Sequence, residues 1–198
     1  REQFEVANQM VRYAQRFPFT FAIMLGDNLY GSERPQDFDK KFIRPYKPLL
    51  DGDVEFDAAL GNHDDPNQRY YKPFNLGGNR YRTFKKGNVR FFVIDSNYLD
   101  PEQLKWLEKE LSQSGSDWKI AYFHHPLYTT ARRGPEVELR AVLEPLFVKY
   151  GVDVVFSGHE QSGRQRGQQD APIPARAHEA PFRRRAMLSS NRPNRSFA

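Results

Sequence analysis

Residues 54–64 read VEFDAALGNHD, and the fold turns on how this stretch is understood. A mostly apolar run ends at Leu60 and gives way at once to Gly61-Asn62-His63-Asp64, a glycine followed by an amide, an imidazole and a carboxylate. A short run closed by such a turn signal predicts a strand over residues 54–60. The glycine lets the chain turn sharply, so the polar residues stand at the carboxyl end of the strand. The construction recurs three times. Residues 19–25 end in Gly26-Asp27-Asn28-Leu29-Tyr30, residues 118–123 in His124-His125-Pro126-Leu127-Tyr128, and residues 152–156 in Ser157-Gly158-His159-Glu160.

Helical periodicity fills the intervals. Residues 2–17 place Phe4, Val6, Met10, Val11 and Ala14 on one face and stop before Pro18. Residues 37–50 carry Phe38, Phe42 and Ile43, and Pro45 and Pro48 predict that this helix breaks early. A helix opening at Pro101 runs through Leu104, Trp106, Leu107 and Leu111. Residues 136–150 form another, with Pro145 as a kink and Gly151 as its closing residue. Residues 81–86 and 89–96 read as a hairpin about Lys86-Gly87-Asn88. Strands alternating with helices, most of the strands apolar throughout, predict an α/β domain with its sheets covered on both faces. Ligands of open α/β sheets gather outside the carboxyl ends of the strands, where the four polar tips fall.

The charge is unevenly distributed. Residues 161–198 hold eight arginines, no lysine and two acids, a net of +6, which leaves 22 basic and 23 acidic groups in residues 1–160. The body is therefore neutral, and the chain's overall charge of +5 does not argue for a nucleic-acid partner. Residues 161–198 lack periodic apolar positions and are expected to form a disordered or non-native tail behind a domain of residues 1–160. The absence of cysteine removes disulfides and thiolate metal ligands. No apolar run approaches the length of a membrane span, and a monomer that does not engage membranes is expected.

The tips collect Asp27, Tyr30, Asn62, His63, Asp64, His124, His125 and His159. Carboxylate, phenolate, amide oxygen and imidazole make a donor set suited to Fe, Mn or Zn. Each tip alone reads as a turn, a cap or a packed histidine; a single metal centre accounts for all of them together. In their order, Gly-Asp-Asn-Leu-Tyr, Gly-Asn-His-Asp, His-His-Pro-Leu-Tyr and Gly-His-Glu resemble the motifs of the calcineurin-like metallophosphoesterases. Tyr30, three residues after Asp27, narrows the resemblance to the small purple, or tartrate-resistant, acid phosphatases.

Over residues 1–160 the resemblance implies a four-layer αββα sandwich, incomplete at both ends, around a dinuclear metal centre. It implies hydrolysis of phosphomonoesters, small phosphorylated substrates, by a metal-bound hydroxide. Asp27 would bridge the metals, Tyr30 would bind the first, Fe(III), and Asn62, His124 and His159 would bind the second, Fe(II), Zn or Mn. Asn62, His63 and His125 would face the substrate, with His63 protonating the leaving group and Asp64 orienting its imidazole. Relatives of this kind are commonly secreted or periplasmic.

Two departures fall on the first metal. The resemblance calls for a strand bearing Asp-x-Gly or Asp-x-His ahead of the opening helix, and for a histidine where Gln161 stands. One metal is thus expected to be held tightly, the second poorly, with hydrolysis weak or absent. The opening at Arg1 and the change of composition after Glu160 lead to the expectation of a fragment. Loops 67–79 and 129–135 would decide between a monoester and a phosphodiester or nucleotide substrate. A further alternative is a non-catalytic metal-binding or anion-binding protein, in which Arg183-Arg184-Arg185 would meet phosphate.

Overall fold

Alternation along a single strand sorts the molecule into layers. In β2 (Glu55–Ala59), Phe56 packs on Phe42 and Tyr46 at ring-centroid distances of 5.2 and 5.1 Å, whereas its neighbour Asp57 points the opposite way, accepting hydrogen bonds from Tyr122 and Arg82. Successive side chains of a strand face opposite sides, so β2 has helix on one side and a second sheet on the other. The computed structural model describes residues 2–129 and 136–159. Gln161, the arginine-rich tail and most of loop 129–135 lie outside the described residues.

β1 (Phe21–Leu25) pairs in parallel with β2 to form the first sheet. The second runs in the order β3 (Arg82–Lys86), β4 (Val89–Val93), β5 (Trp118–Phe123), β6 (Val154–Ser157). β3 and β4 form the antiparallel hairpin expected from Lys86-Gly87-Asn88, and β4, β5 and β6 are mutually parallel. The sheets meet face to face, with Phe21 edge-on to Phe84 and Phe91 at 5.8 and 5.3 Å. On the far side of the second sheet, Phe123 packs against Phe147 of the helix Val137–Tyr150. Leu107 and Leu111 of the preceding helix, Pro101–Ser112, are fully or almost fully buried. The result is helix, sheet, sheet, helix, the αββα order implied by the motifs. Gly151 closes the helix Val137–Tyr150 in a left-handed conformation at φ 65°, with its N–H on the Phe147 carbonyl.

One reading is corrected. Residues 35–50 do not break at the prolines but stay helical throughout, as Pro35–Phe38, a wide π turn over Asp39–Ile43, and Arg44–Leu50. Arg44 N–H reaches back five residues to Asp39, and this widened turn directly precedes Pro45, whose ring and missing donor a regular α turn in mid-helix would not accommodate. Pro48 removes one bond near the helix end. The lost bond and the clash of the ring with the carbonyl four residues back, about 3 kcal/mol together, are outweighed by burial of Phe42, Pro45 and Leu49, since a fully buried large apolar side chain contributes about 2 kcal/mol.

Candidate metal centre

Parallel strands end at a common edge, and the tips of β1, β2, β5 and β6 meet there. Close approach depends on glycine. A Cβ at Gly61 would stand 2.1 Å from the Asp27 backbone nitrogen and 2.3 Å from Asp27 Oδ1; at Gly26, whose φ is +87°, it would stand 2.6 Å from His124 Nδ1. No larger residue fits between these loops without parting them.

His124 is fully buried. Its Nδ1 lies 2.9 Å from the Leu25 carbonyl, an acceptor only, so the ring proton sits on Nδ1 and Nε2 presents a lone pair. That lone pair faces Asn62 Oδ1 at 2.9 Å, His159 Nδ1 at 2.9 Å and Asp27 Oδ1 at 3.4 Å. His159 Nδ1 in turn lies 3.1 Å from Asn62 Oδ1. A single N–H on His159 could serve only one of its two neighbours. Acceptors of the amide, carboxylate and imidazole types thus converge with too few protons to share. The chemistry of this donor set suits a cation such as Fe, Zn or Mn, and the Leu25 carbonyl would hold His124 in the tautomer such a cation needs.

Asp27 faces two ways. Oδ1 accepts from the His63 backbone N–H at 3.1 Å and looks toward His124, while Oδ2 accepts from the Tyr30 hydroxyl at 2.8 Å. Burial alone would raise this carboxyl, but the Tyr30 hydroxyl, the His63 N–H and the neighbouring imidazoles together hold it below its ordinary value. Burial, in contrast, pushes His124 and His125 down, keeping both imidazoles neutral and available as ligands. The side chain of His63 is exposed, its ring 5.4 Å from that of Tyr30.

Asp64 has a different task from the one the motif suggested. It turns inward, accepting from Gly61 N–H at 2.8 Å, Leu29 N–H at 3.1 Å, Gln68 Nε2 at 2.8 Å and Asn28 Nδ2 at 3.1 Å. Its oxygens bind the β1 loop to the β2 loop and do not reach the His63 imidazole. Burial pushes its carboxyl up against those donors.

Residues not singled out from the sequence complete the edge. The β4 tip, Asp95-Ser96-Asn97, stands between the sheets: Asn97 Nδ2 donates to Leu60 and Gly61 carbonyls at 3.2 and 3.1 Å, and Ser96 Oγ lies 2.9 Å from His125 Nδ1. Asn28 donates to the Ala59 carbonyl at 2.9 Å. A cleft of about 460 Å³ opens beside these tips, lined by Asp64, Arg80, Asp95, Asn97 and Tyr98 among others. The Arg80 guanidinium is bonded to Asp95 at 3.0 Å and Asp100 at 2.5 Å, so its charge is already met. Among the described residues no helix is long and apolar enough to cross a membrane.

The sequence profile of the calcineurin-like phosphoesterase family matches residues 2–163. Tartrate-resistant acid phosphatase type 5 of Homo sapiens is 25% identical over 193 residues, covering 79% of this chain and 59% of the relative. Purple acid phosphatase 17 of Arabidopsis thaliana is 25% identical, covering 85% of this chain and 60% of that protein. The chain therefore spans about three fifths of the length of such relatives. Two solved structures share the fold. One, titled "GAP50 the anchor in the inner membrane complex of Plasmodium", superposes with a TM-score of 0.66 at 20% identity over 80% of this chain and 61% of its own. The other is a dimetal phosphatase from Danio rerio, with a TM-score of 0.55 at 15% identity over 77% of this chain and 69% of its own.

Proposed function

Because the chain belongs to the calcineurin-like phosphoesterase family, we propose that it is a metal-dependent phosphoesterase of the purple acid phosphatase type, acting on small phosphomonoesters. The observation that carries this reading is the convergence of Asp27, Asn62, His124 and His159 on one point. Asn62, His124 and His159 would hold one metal, Fe, Zn or Mn. Asp27 would share its second oxygen with a further metal, Fe(III) beside Tyr30. Bound there, a metal pair would supply Lewis acidity, drawing charge from phosphoryl oxygens and acidifying water. The exposed His63 imidazole, carried next to Asn62, can give a proton to the departing alcohol oxygen. The cleft beside Asn97 and Tyr98 leaves room for that alcohol group. Among the described residues it has no uncommitted cation, which leaves the phosphate to the metal side.

The two metal positions are unequal. Among the described residues only Tyr30 bonds Asp27 Oδ2, whereas Oδ1 faces the amide and imidazole donors. On these described donors the imidazole side would be the tighter site, and slow turnover is the expected outcome. This inequality also favours a second reading, a metal-binding protein that does not catalyse. A fold is compatible with either role, and one protein sharing this fold is titled an anchor.

An assay of p-nitrophenyl phosphate and bis(p-nitrophenyl) phosphate with added Fe, Zn or Mn separates these possibilities. Slow, metal-dependent hydrolysis of the monoester, lost in Asp27→Asn and reduced about 100-fold in His63→Ala, is expected. No turnover with any metal, despite measurable metal binding, would leave the non-catalytic reading. Preference for the diester would redirect the substrate.

A further inference from the structure

His125 is not accounted for by the ligand set above, yet it packs into the same cluster. Its ring centroid lies 4.9 Å from that of His124 and 4.7 Å from that of His159, and the latter two are 4.8 Å apart. One ring nitrogen from each of the three lies within 4.8 Å of the others. Ligand nitrogens on a tetrahedral zinc are roughly 3.4 Å apart, given Zn–N bonds of about 2.1 Å, so side-chain adjustments on the order of 1 Å would close the set.

The second contact of His125 points the same way. Ser96 Oγ lies 2.9 Å from Nδ1 and also accepts the His125 backbone N–H at 3.0 Å. A hydroxyl oxygen can accept two hydrogen bonds. In the tautomer that donates Nδ1–H to Ser96 beside the backbone N–H, Nε2 of His125 carries the lone pair. Metal-binding histidines usually have their other ring nitrogen tied in this way, just as Leu25 ties His124.

We propose that His125 is a third imidazole ligand, so that His124, His125 and His159 form a tris-imidazole site for a borderline divalent cation, Zn(II) or Co(II), with Ser96 as the residue that positions His125. The inference rests on the reading that the Asp27–Asn62–His124–His159 cluster holds a cation, and adds a ligand to it. Three imidazoles with an oxygen donor are one of the ligand sets in which zinc is held. A third ring would strengthen the imidazole side of an otherwise unequal pair.

The test titrates the full chain with Co(II), read by visible absorption, and with Zn(II), read by calorimetry, for the parent protein and for His125→Ala, Ser96→Ala and His124→Ala. His125→Ala is expected to lose at least tenfold in affinity for both ions and to change the Co(II) ligand-field spectrum. Ser96→Ala is expected to lose on the order of tenfold, with the same ligand count. X-ray absorption on the Zn-loaded parent protein, which needs no variant to fold, is expected to count three imidazoles. A His125→Ala protein that keeps parental affinity and spectrum while His124→Ala loses both would overturn the third ligand and spare the cluster. If His124→Ala also binds as the parent does, the cluster reading and this inference fail together.

Discussion

Replacing Gly61 by alanine is expected to reduce metal affinity on the order of 100-fold or more and to lower the thermal midpoint by roughly 6–12 °C. The new Cβ would meet the Asp27 nitrogen at 2.1 Å, Asp27 Oδ1 at 2.3 Å and the Gly26 carbonyl carbon at 2.9 Å. Two of these are backbone atoms, which cannot swing aside like a flexible side chain. Relief requires the β1 and β2 tips to part, which separates Asp27 from Asn62 and pulls Gly61 N–H from Asp64. Overpacking of this kind costs about 3 kcal/mol, and each kcal/mol shifts the midpoint by about 2–4 °C in a domain of this size. Calorimetric scanning and Co(II) titration read the two effects. An alanine variant with an unchanged midpoint and unchanged binding would show that the tips do not pack this closely.

The second large effect lies between the sheets, away from the metal donors. Arg82→Met is expected to destabilise the fold by about 3–5 kcal/mol. Asp57 is buried, accepts from the Tyr122 hydroxyl at 2.6 Å and is paired with Arg82. Burial pushes its carboxyl up, and Tyr122 and Arg82 oppose that rise. Without the guanidinium a carboxylate remains in the sandwich with its charge uncompensated. An Asp raised in the folded state binds more protons folded than unfolded, so stability falls as pH rises above the unfolded value of about 3.9. The deficit of Arg82→Met relative to the parent protein should therefore shrink between pH 7 and about pH 4. Replacing both partners, Asp57→Leu with Arg82→Met, should restore most of the loss, because removing a buried pair for apolar groups is often nearly neutral. Urea unfolding of the three variants across this pH range checks both points; a pH-independent deficit, or a double variant worse than either single, would contradict the argument.

The legibility of the sequence followed the range of the interactions. Strand tips were readable because apolar runs ending at Gly26, Gly61 and Gly158 are local signals, and five of the six strands sit within two residues of the expected bounds. β4 was shorter, ending at Val93 rather than at Ser96. That misplaced end hid Asp95-Ser96-Asn97 as a fifth polar tip, although Ser96 supports His125. Residues 66–74 form two short 3₁₀ turns that bury Gln68 and Phe74, and no periodicity could announce them. Asp57 reads as a polar interruption until Arg82 and Tyr122 arrive from the other sheet. Asp64 looked catalytic because it follows His63 directly. Its direction is set by Gly61 and Gln68 close by and by Asn28 and Leu29, 35 or so residues away, and no pattern within the loop reveals the distant pair. The prolines of residues 44–50 misled for a similar reason: tertiary burial decided what local propensity left undecided.

The most direct test of the cation-binding cluster is a Zn(II) or Co(II) titration of the full chain beside its Asn62→Ala and His124→Ala variants. One tightly bound equivalent per chain, with a second much weaker, is expected for the parent protein, and loss of the tight equivalent is expected in His124→Ala. A parent protein that retains no divalent cation, or variants that retain it as well as the parent does, would contradict the convergence of Asp27, Asn62, His124 and His159 on a metal.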